Sequence, residues 1–327
     1  MSKNNQSKTD MCENTYISQD LKKQYFLRLI KGYEKRGITK FFIEQYLHGS
    51  GNELVEKFWS QQSSSRMAFD LYSWIVNEPE CLDFEFEYKL PTVKSGKSMN
   101  PANMDVYIRT KDTIYFIESK YLEQEKVISD AQKRLSGAYY QTLLADGTDT
   151  DISFDAPSHY YNLNKKLVGP QSLSDRFTGH DKVIVPYVEF CKEILKHAKS
   201  NNQRDWFDVK QELCHLLGII LFLIDSFQQK KLNGITTVRF SNIVYRKDES
   251  YDGPSEFAKD FIEKAQQMVS DVLRAYDIKN INFKYDTSTV QQLIAKCGDK
   301  PAYENDKKTL RETLEENYSG FNVEVQK

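Results

Sequence analysis

Apolar residues recur at two different spacings in the first third of the chain, and the spacings predict a helix followed by a strand. From Ser65 to Val76 they recur at helical spacing, after a serine cluster that suits an N-cap and before a proline at position 79. From Leu82 to Leu90 apolar and polar residues alternate, as in a strand. This strand is expected to place aromatic residues on one face and acids on the other: Phe84, Phe86 and Tyr88 against Glu85 and Glu87.

The next segment, residues 101–123, has the pattern of a β-hairpin. β-Branched and aromatic residues lie on both sides of a polar break at residues 110–113. With the turn centred in that break, Asp105 is opposite Glu118, and directly opposed residues project from the same face of a sheet. Lys120 lies two residues after Glu118 and shares that face. The hairpin is therefore expected to gather two carboxylates and one ammonium group.

A long apolar helix and one more strand follow the hairpin. Residues 209–226 predict the helix and residues 238–245 the strand. Within the helix, Gln211, His215 and Gly218 fall at i, i+4 and i+7, so they lie on one stripe. The predicted order of elements is helix, three strands, helix and strand.

The expected cluster of Asp105, Glu118 and Lys120 suits a divalent cation. Mg²⁺ prefers oxygen ligands and is usually held by one or two carboxylates, with water and substrate phosphate oxygens completing its shell. The backbone carbonyl of Ser119 is a further candidate ligand. The cation lowers the pKa of bound water and neutralises charge developing on phosphorus, and a lysine beside it can orient or deprotonate that water. These residues therefore indicate phosphodiester hydrolysis.

A purely structural interpretation is a cross-strand salt-bridged patch on a half-exposed hairpin. The acid-x-lysine tripeptide is uninformative alone, because it recurs elsewhere, for example at residues 208–210 and 277–279, as a solvated charge pair. Only the tripeptide at residues 118–120 ends a strongly apolar strand and also has an acid at the opposed position. Acids at the end of apolar strands are unusual, and this favours the metal site.

These residues resemble the signature of the PD-(D/E)xK superfamily of restriction-endonuclease-like nucleases, in which an aspartate precedes Glu-x-Lys by one hairpin. Pro101 lies four residues before Asp105, and Met104 stands where a tighter motif has proline. The strand end Ile-Glu-Ser-Lys, followed by an aromatic residue, leucine and glutamate at residues 121–123, is similar to that of a bacterial branch. Softer similarities extend in order over residues 60–245.

The resemblance implies roles for individual residues. Asp105 and Glu118 would bind metal and Lys120 would act on water. In some branches a glutamine on the helix after the hairpin reaches the site; this role is carried to Gln211, the alternative being a polar residue in the first helical turn. His215 is expected to be a hydrogen-bonded core histidine. Participation of Glu87, Glu53 and Asp70 is left open, with solvated strand charges favoured for Glu85 and Glu87.

The expected fold is α/β, with a restriction-endonuclease-like core whose central mixed β-sheet is flanked by helices. With 327 residues, 39% of them hydrophobic, the chain can bury a large core. The predicted divisions are a disordered tail (1–15), an N-terminal helical extension (16–62), the nuclease core (63–250) with an insertion around 125–205, and a mixed C-terminal extension packed on the core (251–327).

The net charge of −2 gives no overall attraction to polyanions, so contact with nucleic acid has to be local. The first fifty residues carry nine Lys/Arg against five Asp/Glu, with aromatic residues between them. Such a helix can grip a phosphate backbone, or it can be an amphipathic packing element with a solvated face. Its basic residues are Lys22, Lys23, Arg28, Lys31, Lys35, Arg36 and Lys40.

Taken together, the sequence predicts a Mg²⁺-dependent nuclease in which Mn²⁺ can substitute. The resemblance implies an endonuclease on double-stranded DNA in a bacterial restriction or genome-defence setting, with a homodimer left open. Five cysteines without paired spacing favour a cytoplasmic protein, and no signal peptide or membrane span is expected. The alternatives are a catalytically silent nucleic-acid-binding or scaffold protein on the same fold, and a nuclease acting on RNA or branched substrates.

Overall fold

The computed structural model describes residues 18–36, 42–48, 57–60, 63–91, 94–95, 98–99, 102–121, 125–131, 180–245, 253–302 and 307–318. The predicted tail, Glu53, Pro101 and most of the predicted insertion lie outside these ranges.

A five-stranded mixed sheet forms the centre of the described part of the chain. Its strands follow one another in space as in sequence: β1 (Asp83–Leu90), β2 (Ala102–Arg109), β3 (Thr113–Tyr121), β4 (Thr237–Tyr245) and β5 (Asn282–Thr289). The pairs β1–β2 and β2–β3 are antiparallel, whereas β3–β4 and β4–β5 are parallel. Parallel neighbours need long crossover connections, which here contain helices.

Helices cover both faces of the sheet. One face packs against α1 (Gln19–Arg36), α2 (Phe42–His48), α3 (Ser64–Tyr72, extended by a 3₁₀ turn, Ser73–Asn77), α7 (Val290–Cys297) and α8 (Leu310–Asn317). The other packs against α4 (Asp181–Lys199), α5 (Val209–Gln228) and α6 (Glu256–Ala275). These are called the α3 face and the α5 face. The predicted α/β class, with a central mixed sheet flanked by helices, is confirmed.

The hairpin register expected from the sequence is also confirmed. Val106 pairs with Ile117, and the ladder runs from there to the predicted turn. Beyond this pair β2 continues beside β1, while β3 continues beside β4 as far as Tyr121. The sheet therefore opens between β2 and β3. Asp105 and Glu118 are the first residues past the last pair, at the opening that we call the fork.

Strand β1 crosses from one face of the sheet to the other at Glu87, so the regular alternation predicted for it is wrong. Phe84 and Phe86 pack on the α3 face, whereas Tyr88 and Leu90 pack on the α5 face. Glu87 has a φ of 52°, in the left-handed region that residues other than glycine rarely adopt. A regular strand keeps every second side chain on one face, so this single residue explains the crossing. Glu87 is also buried rather than solvated as expected.

Strand β2 makes the same crossing at Asp105. Val106 packs on the α3 face and Met104 on the α5 face, although two residues apart in a regular strand share a face. The register is unbroken, because the residues on either side of Glu87 stay paired with those on either side of Asp105. Glu87 and Asp105 therefore lie opposite each other in a matched kink beside the fork.

Helix α5 begins where the sequence predicts, because Asp208 caps it. The Asp208 carboxylate accepts hydrogen bonds from the backbone N of Lys210 (3.1 Å) and of Gln211 (3.4 Å), which satisfies donors that a helix start leaves unpaired. Farther along, a Cβ added to Gly218 would lie 2.7 Å from Cβ of Leu90. The absence of a side chain there lets α5 approach β1 closely, with its first turn beside the fork.

Two segments expected to lie around the core contribute to it directly. The C-terminal segment supplies β5, which pairs with β4 from Thr237 to Val244. Helix α4 comes from the second half of the predicted insertion, and its Val183, Tyr187 and Ile194 are buried in the same hydrophobic cluster as α5 and α6. Both segments therefore help to hold α5 against the sheet.

Candidate functional site

Lys120 belongs to a hydrogen-bonded triangle with Glu118 and Gln211. Its Nζ donates to Glu118 Oε1 at 2.8 Å and to Gln211 Oε1 at 2.5 Å, and Gln211 Nε2 donates to the same Glu118 Oε1 at 2.6 Å. Glu118 and Lys120 are only 4% and 2% exposed, whereas Gln211 is partly exposed. The structure thus brings three of the predicted site residues together, two from β3 and one from the first turn of α5.

Asp105 lies in the fork, next to the triangle. Its Oδ2 accepts a hydrogen bond from the backbone N of Ser119 at 2.6 Å. This bond takes the place of a strand-to-strand hydrogen bond past the last pair of the ladder. Because the N–H and C=O of one strand residue point toward the same neighbouring strand, the Ser119 carbonyl also faces the fork. All five predicted site residues therefore meet here.

Burial disfavours ionisation of both carboxyl groups, and like charge adds to this at Asp105. The pKa of Asp105 is raised well above its ordinary value, first by burial and then by the charges of Glu118 and Glu87. Burial also raises the pKa of Glu118, while Lys120 and then Gln211 act in the opposite direction. A cation among these oxygen atoms would offset both effects, because it favours the charged form of each carboxylate.

One oxygen atom of Glu118 is left over from the triangle. Its Oε2 is buried and has no hydrogen-bond partner within the described ranges. The Nε2 atom of His215 lies 3.9 Å from it. Burial, and then the charge of Lys120, lower the pKa of His215 to about 3, so the imidazole is neutral at pH 7. His215 is a core residue, as predicted. Because its imidazole is neutral, the charge of Glu118 is balanced by Lys120.

The donor set fits a hard divalent cation. Among the residues that the structure describes, no group of three or more His, Cys, Asp or Glu side chains is placed to hold a metal ion. Mg²⁺ does not require such a group, because water and substrate oxygens usually complete its shell. Asp105 and Glu118 each keep one carboxylate oxygen outside the hydrogen bonds described above, and the Ser119 carbonyl faces the same opening. The predicted ligands are therefore compatible with Mg²⁺ or Mn²⁺.

A second buried polar cluster, which sequence reasoning missed, lies on the α5 face. Glu212 Oε2 accepts a hydrogen bond from Tyr285 Oη at 2.6 Å, and Asn242 Nδ2 donates to the same Oη at 3.1 Å. Asn242 pairs in register with Glu118 across β3 and β4, so the two side chains share a face. Burial raises the pKa of Glu212 to about 7, with Lys120 acting against it. Only the β3–β4 register would have indicated this cluster, and no turn fixes that register in the sequence.

Asp70 belongs to a different network. Its fully buried carboxylate accepts hydrogen bonds from Tyr25 Oη, from Arg28 Nη1 at 2.8 Å and from Tyr318 Oη at 2.9 Å. These donors come from α1 and from the residue after α8, so Asp70 ties both to α3. This gives Asp70 a structural role away from the triangle. Glu53, the other acid left open, lies outside the described residues.

Helix α1, the predicted nucleic-acid contact, presents a mixed surface. Lys23 and Lys31 are exposed. Arg28 is turned inward and forms an ion pair with Asp70 at 2.8 Å. The side chains of Lys35, Arg36 and Lys40 lie outside the description. Among the side chains of α1 that the structure describes, the exposed large apolar ones are Phe26, Leu27 and Ile30.

Comparisons with known proteins do not assign this chain to a family: no protein-family model, curated protein or solved structure matches it. In the described ranges, none of the helices has the length and apolar character needed to cross a membrane.

Proposed function

We propose that this chain is a divalent-cation-dependent nuclease with a restriction-endonuclease-like core of the PD-(D/E)xK type. The observation that supports it most is the meeting of Asp105, Glu118 and Lys120 where the hairpin strands separate. An aspartate on one strand and Glu-x-Lys on the next is the arrangement that the sequence resemblance implies. Gln211 reaches the same place from the following helix.

Asp105, Glu118 and the Ser119 carbonyl are the groups that would hold Mg²⁺, or Mn²⁺ in its place. When bound, the cation lowers the pKa of a water molecule and neutralises charge on the phosphate. The chain holds both carboxylates in place by hydrogen bonds: the Ser119 N–H fixes Asp105 Oδ2, and Lys120 and Gln211 fix Glu118 Oε1. Such fixed ligands keep the site organised before substrate arrives.

Lys120 would act on the attacking water or on the anionic transition state. Its hydrogen bonds hold the ammonium group beside the carboxylate that would bind the cation. A group held within hydrogen-bond reach of the reacting atoms can orient water or move a proton. Gln211 forms hydrogen bonds with both Lys120 and Glu118. We therefore assign it a positioning role, in which it holds these two groups in place relative to each other.

The substrate that fits the proposal is double-stranded DNA, in a cytoplasmic restriction or genome-defence setting like that of the bacterial branch. A phosphate group would approach from the side of Asp105 and Gln211, because Glu118 and Lys120 are buried while these two are partly exposed. The exposed lysines of α1 supply local positive charge for contacts to the phosphate backbone.

Incubation of the purified chain with plasmid, linear DNA and RNA in Mg²⁺, Mn²⁺ or EDTA tests the proposal. We expect cleavage of DNA that needs a divalent cation and disappears in Lys120→Ala. Lys89→Ala is a matched control, because Lys89 also follows an acid-x pair in the sheet but is exposed. Cleavage in EDTA, or wild-type cleavage by Lys120→Ala, would contradict the proposal.

The near-complete burial of Glu118 and Lys120 favours a second candidate, a nucleic-acid-binding or scaffold protein that keeps the fold without turnover. Such a protein would bind DNA or RNA equally well with and without a divalent cation. The same assay separates the two candidates, because only the silent protein leaves plasmid, linear DNA and RNA intact in every cation.

A further inference from the structure

Three buried oxygen atoms on the α5 face have no hydrogen-bond partner within the described ranges. They are Glu118 Oε2, Glu212 Oε1 and Asn242 Oδ1. Glu212 and Asn242 are 0% exposed, and Glu118 is 4% exposed. Carboxylate and amide oxygens only accept hydrogen bonds, so these atoms cannot satisfy one another. Buried acceptors of this kind are normally satisfied by a protein donor or by an ordered water molecule.

The sheet brings two of the three atoms together. Glu118 and Asn242 are register partners in the parallel strands β3 and β4, which lie about 4.8 Å apart. The residues two positions earlier, Phe116 and Phe240, both pack on the α5 face. Every second residue of a strand lies on one face, so Glu118 and Asn242 are neighbours on that face.

The hydroxyl of Tyr285 brings Glu212 to Asn242 and orients the amide. Tyr285 Oη donates its one hydrogen to Glu212 Oε2 at 2.6 Å. Asn242 therefore contacts this hydroxyl through Nδ2, at 3.1 Å, because only the amide nitrogen can donate to it. As a result, Asn242 Oδ1 and Glu212 Oε1 are the oxygen atoms that remain outside the contact with Tyr285.

Helix α5 also places Glu212 next to Glu118. Gln211 Nε2 donates to Glu118 Oε1 at 2.6 Å, and His215 Nε2 lies 3.9 Å from Glu118 Oε2. Glu212 follows Gln211 and lies three residues before His215, the spacing of neighbouring side chains on a helix. Glu212 therefore lies on the side of α5 that contacts Glu118, and all three unsatisfied oxygen atoms face the same enclosed region.

One water molecule between the three oxygen atoms would satisfy all of them. Buried waters typically make about three hydrogen bonds to buried polar groups. Burial raises the pKa of Glu212 to about 7, so below that pH its Oε1 can hold a proton and donate it to the water. The water then donates one hydrogen to Glu118 Oε2 and the other to Asn242 Oδ1. A carboxylate oxygen has two lone pairs, so Glu118 Oε2 can still bind a cation.

We propose that Glu212 is a positioning residue, which fixes Glu118 Oε2 through one buried water molecule shared with Asn242. This deepens the proposed function and rests on it, because Glu118 is one of the groups that would hold the cation. Lys120 and Gln211 fix only the other oxygen, Oε1. The water fixes Oε2, and the whole carboxylate is then held. Partners that orient a metal ligand in this way contribute to metal affinity.

A high-resolution crystal structure of the full chain without metal tests the water directly. We expect one ordered water molecule about 2.5–3.0 Å from each of Glu118 Oε2, Glu212 Oε1 and Asn242 Oδ1. A direct hydrogen bond between Glu212 and Glu118, or three oxygen atoms with no water between them, would overturn the proposal.

Calorimetric titration of Mn²⁺ into the full chain tests the positioning role. Glu212→Met keeps the length of the side chain but removes both oxygen atoms. We expect it to weaken Mn²⁺ affinity by about 10-fold to 100-fold, the range for partners that orient metal ligands. Glu212→Gln should restore most of the affinity, because its amide can donate to the water and accept from Tyr285. If Glu212 were only structural, Glu212→Met would lower stability and leave the Mn²⁺ affinity of the folded chain unchanged.

Gln266→Ala is the matched control. Gln266 Oε1 accepts a hydrogen bond from the backbone N of Tyr285 at 3.0 Å, but it comes from α6 and does not touch the three oxygen atoms. The control should lose stability and bind Mn²⁺ with wild-type affinity. Should Glu212→Met fail to fold, Asn242→Leu replaces it. Leucine has a similar shape and lacks Oδ1, so this variant should also weaken Mn²⁺ affinity.

Wild-type Mn²⁺ affinity in folded Glu212→Met or Asn242→Leu would overturn the positioning role. Asp105→Asn distinguishes this result from failure of the proposed function. Loss of binding in Asp105→Asn, together with unchanged binding in Glu212→Met, would leave the cation site standing without Glu212. A wild-type chain that binds no Mn²⁺ would overturn both proposals.

Discussion

The triangle of Glu118, Lys120 and Gln211 contains a buried ion pair, and this makes the two charged residues depend on each other. Removing two charges from water is costly, and their attraction offsets the cost only when hydrogen bonds satisfy the remaining atoms. Gln211 provides two of these bonds. A change at Lys120 is therefore expected to affect stability as well as any chemistry.

Lys120→Met should lower the free energy of unfolding by about 3–5 kcal/mol at pH 7, because it leaves the Glu118 carboxylate buried without the ammonium group that balances its charge. Urea unfolding measures this loss. The double variant Lys120→Met/Glu118→Gln should recover most of it, since no unpaired charge remains. If the two single substitutions simply add, the residues do not form the coupled pair described here.

Glu212 gives the protein a predictable dependence on pH. Its pKa is about 7 in the folded chain, against an ordinary value of 4.5, so the folded state binds the proton more tightly than the unfolded state. Stability contributed by this group is fully present below about pH 4.5 and is lost as the pH rises to 7. Glu212→Gln should therefore match the wild type at pH 4.5 and exceed it by about 2–3 kcal/mol at pH 8.

Urea unfolding of Glu212→Gln and wild type at both pH values measures this difference. The amide can still accept the hydrogen bond from Tyr285, so packing should be retained. A difference in stability that is the same at pH 4.5 and pH 8 would show that Glu212 does not titrate in this range.

Among helices and strands, the contact of α5 with β1 sets where the first turn of α5 lies relative to the fork. Gly218 lies where a Cβ would be 2.7 Å from Leu90 Cβ and 3.0 Å from Pro91 O. Neither contact can be relieved without moving the helix or the strand. The position of Gln211 therefore depends on a residue seven positions along the same helix.

Gly218→Ala should destabilise the chain by about 1–3 kcal/mol through overpacking. In an exposed helix the same change would stabilise by about 1 kcal/mol, so the sign of the effect reports the close contact. Denaturant unfolding gives the sign. A more stable Gly218→Ala would mean that α5 does not lie this close to β1.

Pattern and turn signals were enough to predict most of the elements and the meeting of the residues at the centre of the candidate site. The polar break fixed the hairpin register, and with it the meeting of Asp105 and Glu118. Gln211 and His215 lie on one stripe of α5, as the sequence predicts, and both therefore face β3. The kink at Glu87 could not be predicted, because a left-handed glutamate in an alternating strand carries no signal of its own. The position of β5 depends on packing against β4, which no local pattern fixes.

For the molecule as a whole, a cation would act as a ligand of the folded state. Binding to the folded chain alone raises stability by about 2.7 kcal/mol at a concentration one hundred times the Kd. The raised pKa values of Asp105 and Glu118 mean that cation binding releases protons. The gain in melting temperature with Mg²⁺ or Mn²⁺ should therefore grow from pH 5.5 to pH 8.

Thermal unfolding with and without cation across this pH range tests the expectation. Asp105→Asn should abolish the gain at every pH. Asp70→Asn should be less stable than wild type, because it disturbs the network that joins α1 and α3, yet it should keep the full gain. A gain that survives in Asp105→Asn would place the cation elsewhere.

Because the molecule has a net charge of −2, DNA binding has to depend on local lysines. Lys23→Gln/Lys31→Gln should weaken DNA binding and reduce the slope of log affinity against log salt by roughly one per lysine that contacts phosphate. Lys196→Gln/Lys199→Gln is a matched control on exposed positions of α4, across the sheet. Equal effects of the two pairs, measured by fluorescence anisotropy, would exclude a specific role for α1.

Cleavage under single-turnover conditions, with enzyme in excess over DNA and Mg²⁺ present, separates chemistry from binding for Lys120→Met and wild type. The variant removes the ammonium group but keeps most of the side-chain volume. If Lys120 acts on the attacking water or the transition state, the cleavage rate should fall by about 10²–10⁴. DNA affinity should stay nearly unchanged, because one lysine is a small part of the phosphate contacts. A folded Lys120→Met chain that cleaves DNA at the wild-type rate would contradict the assignment of a nuclease centre to the fork.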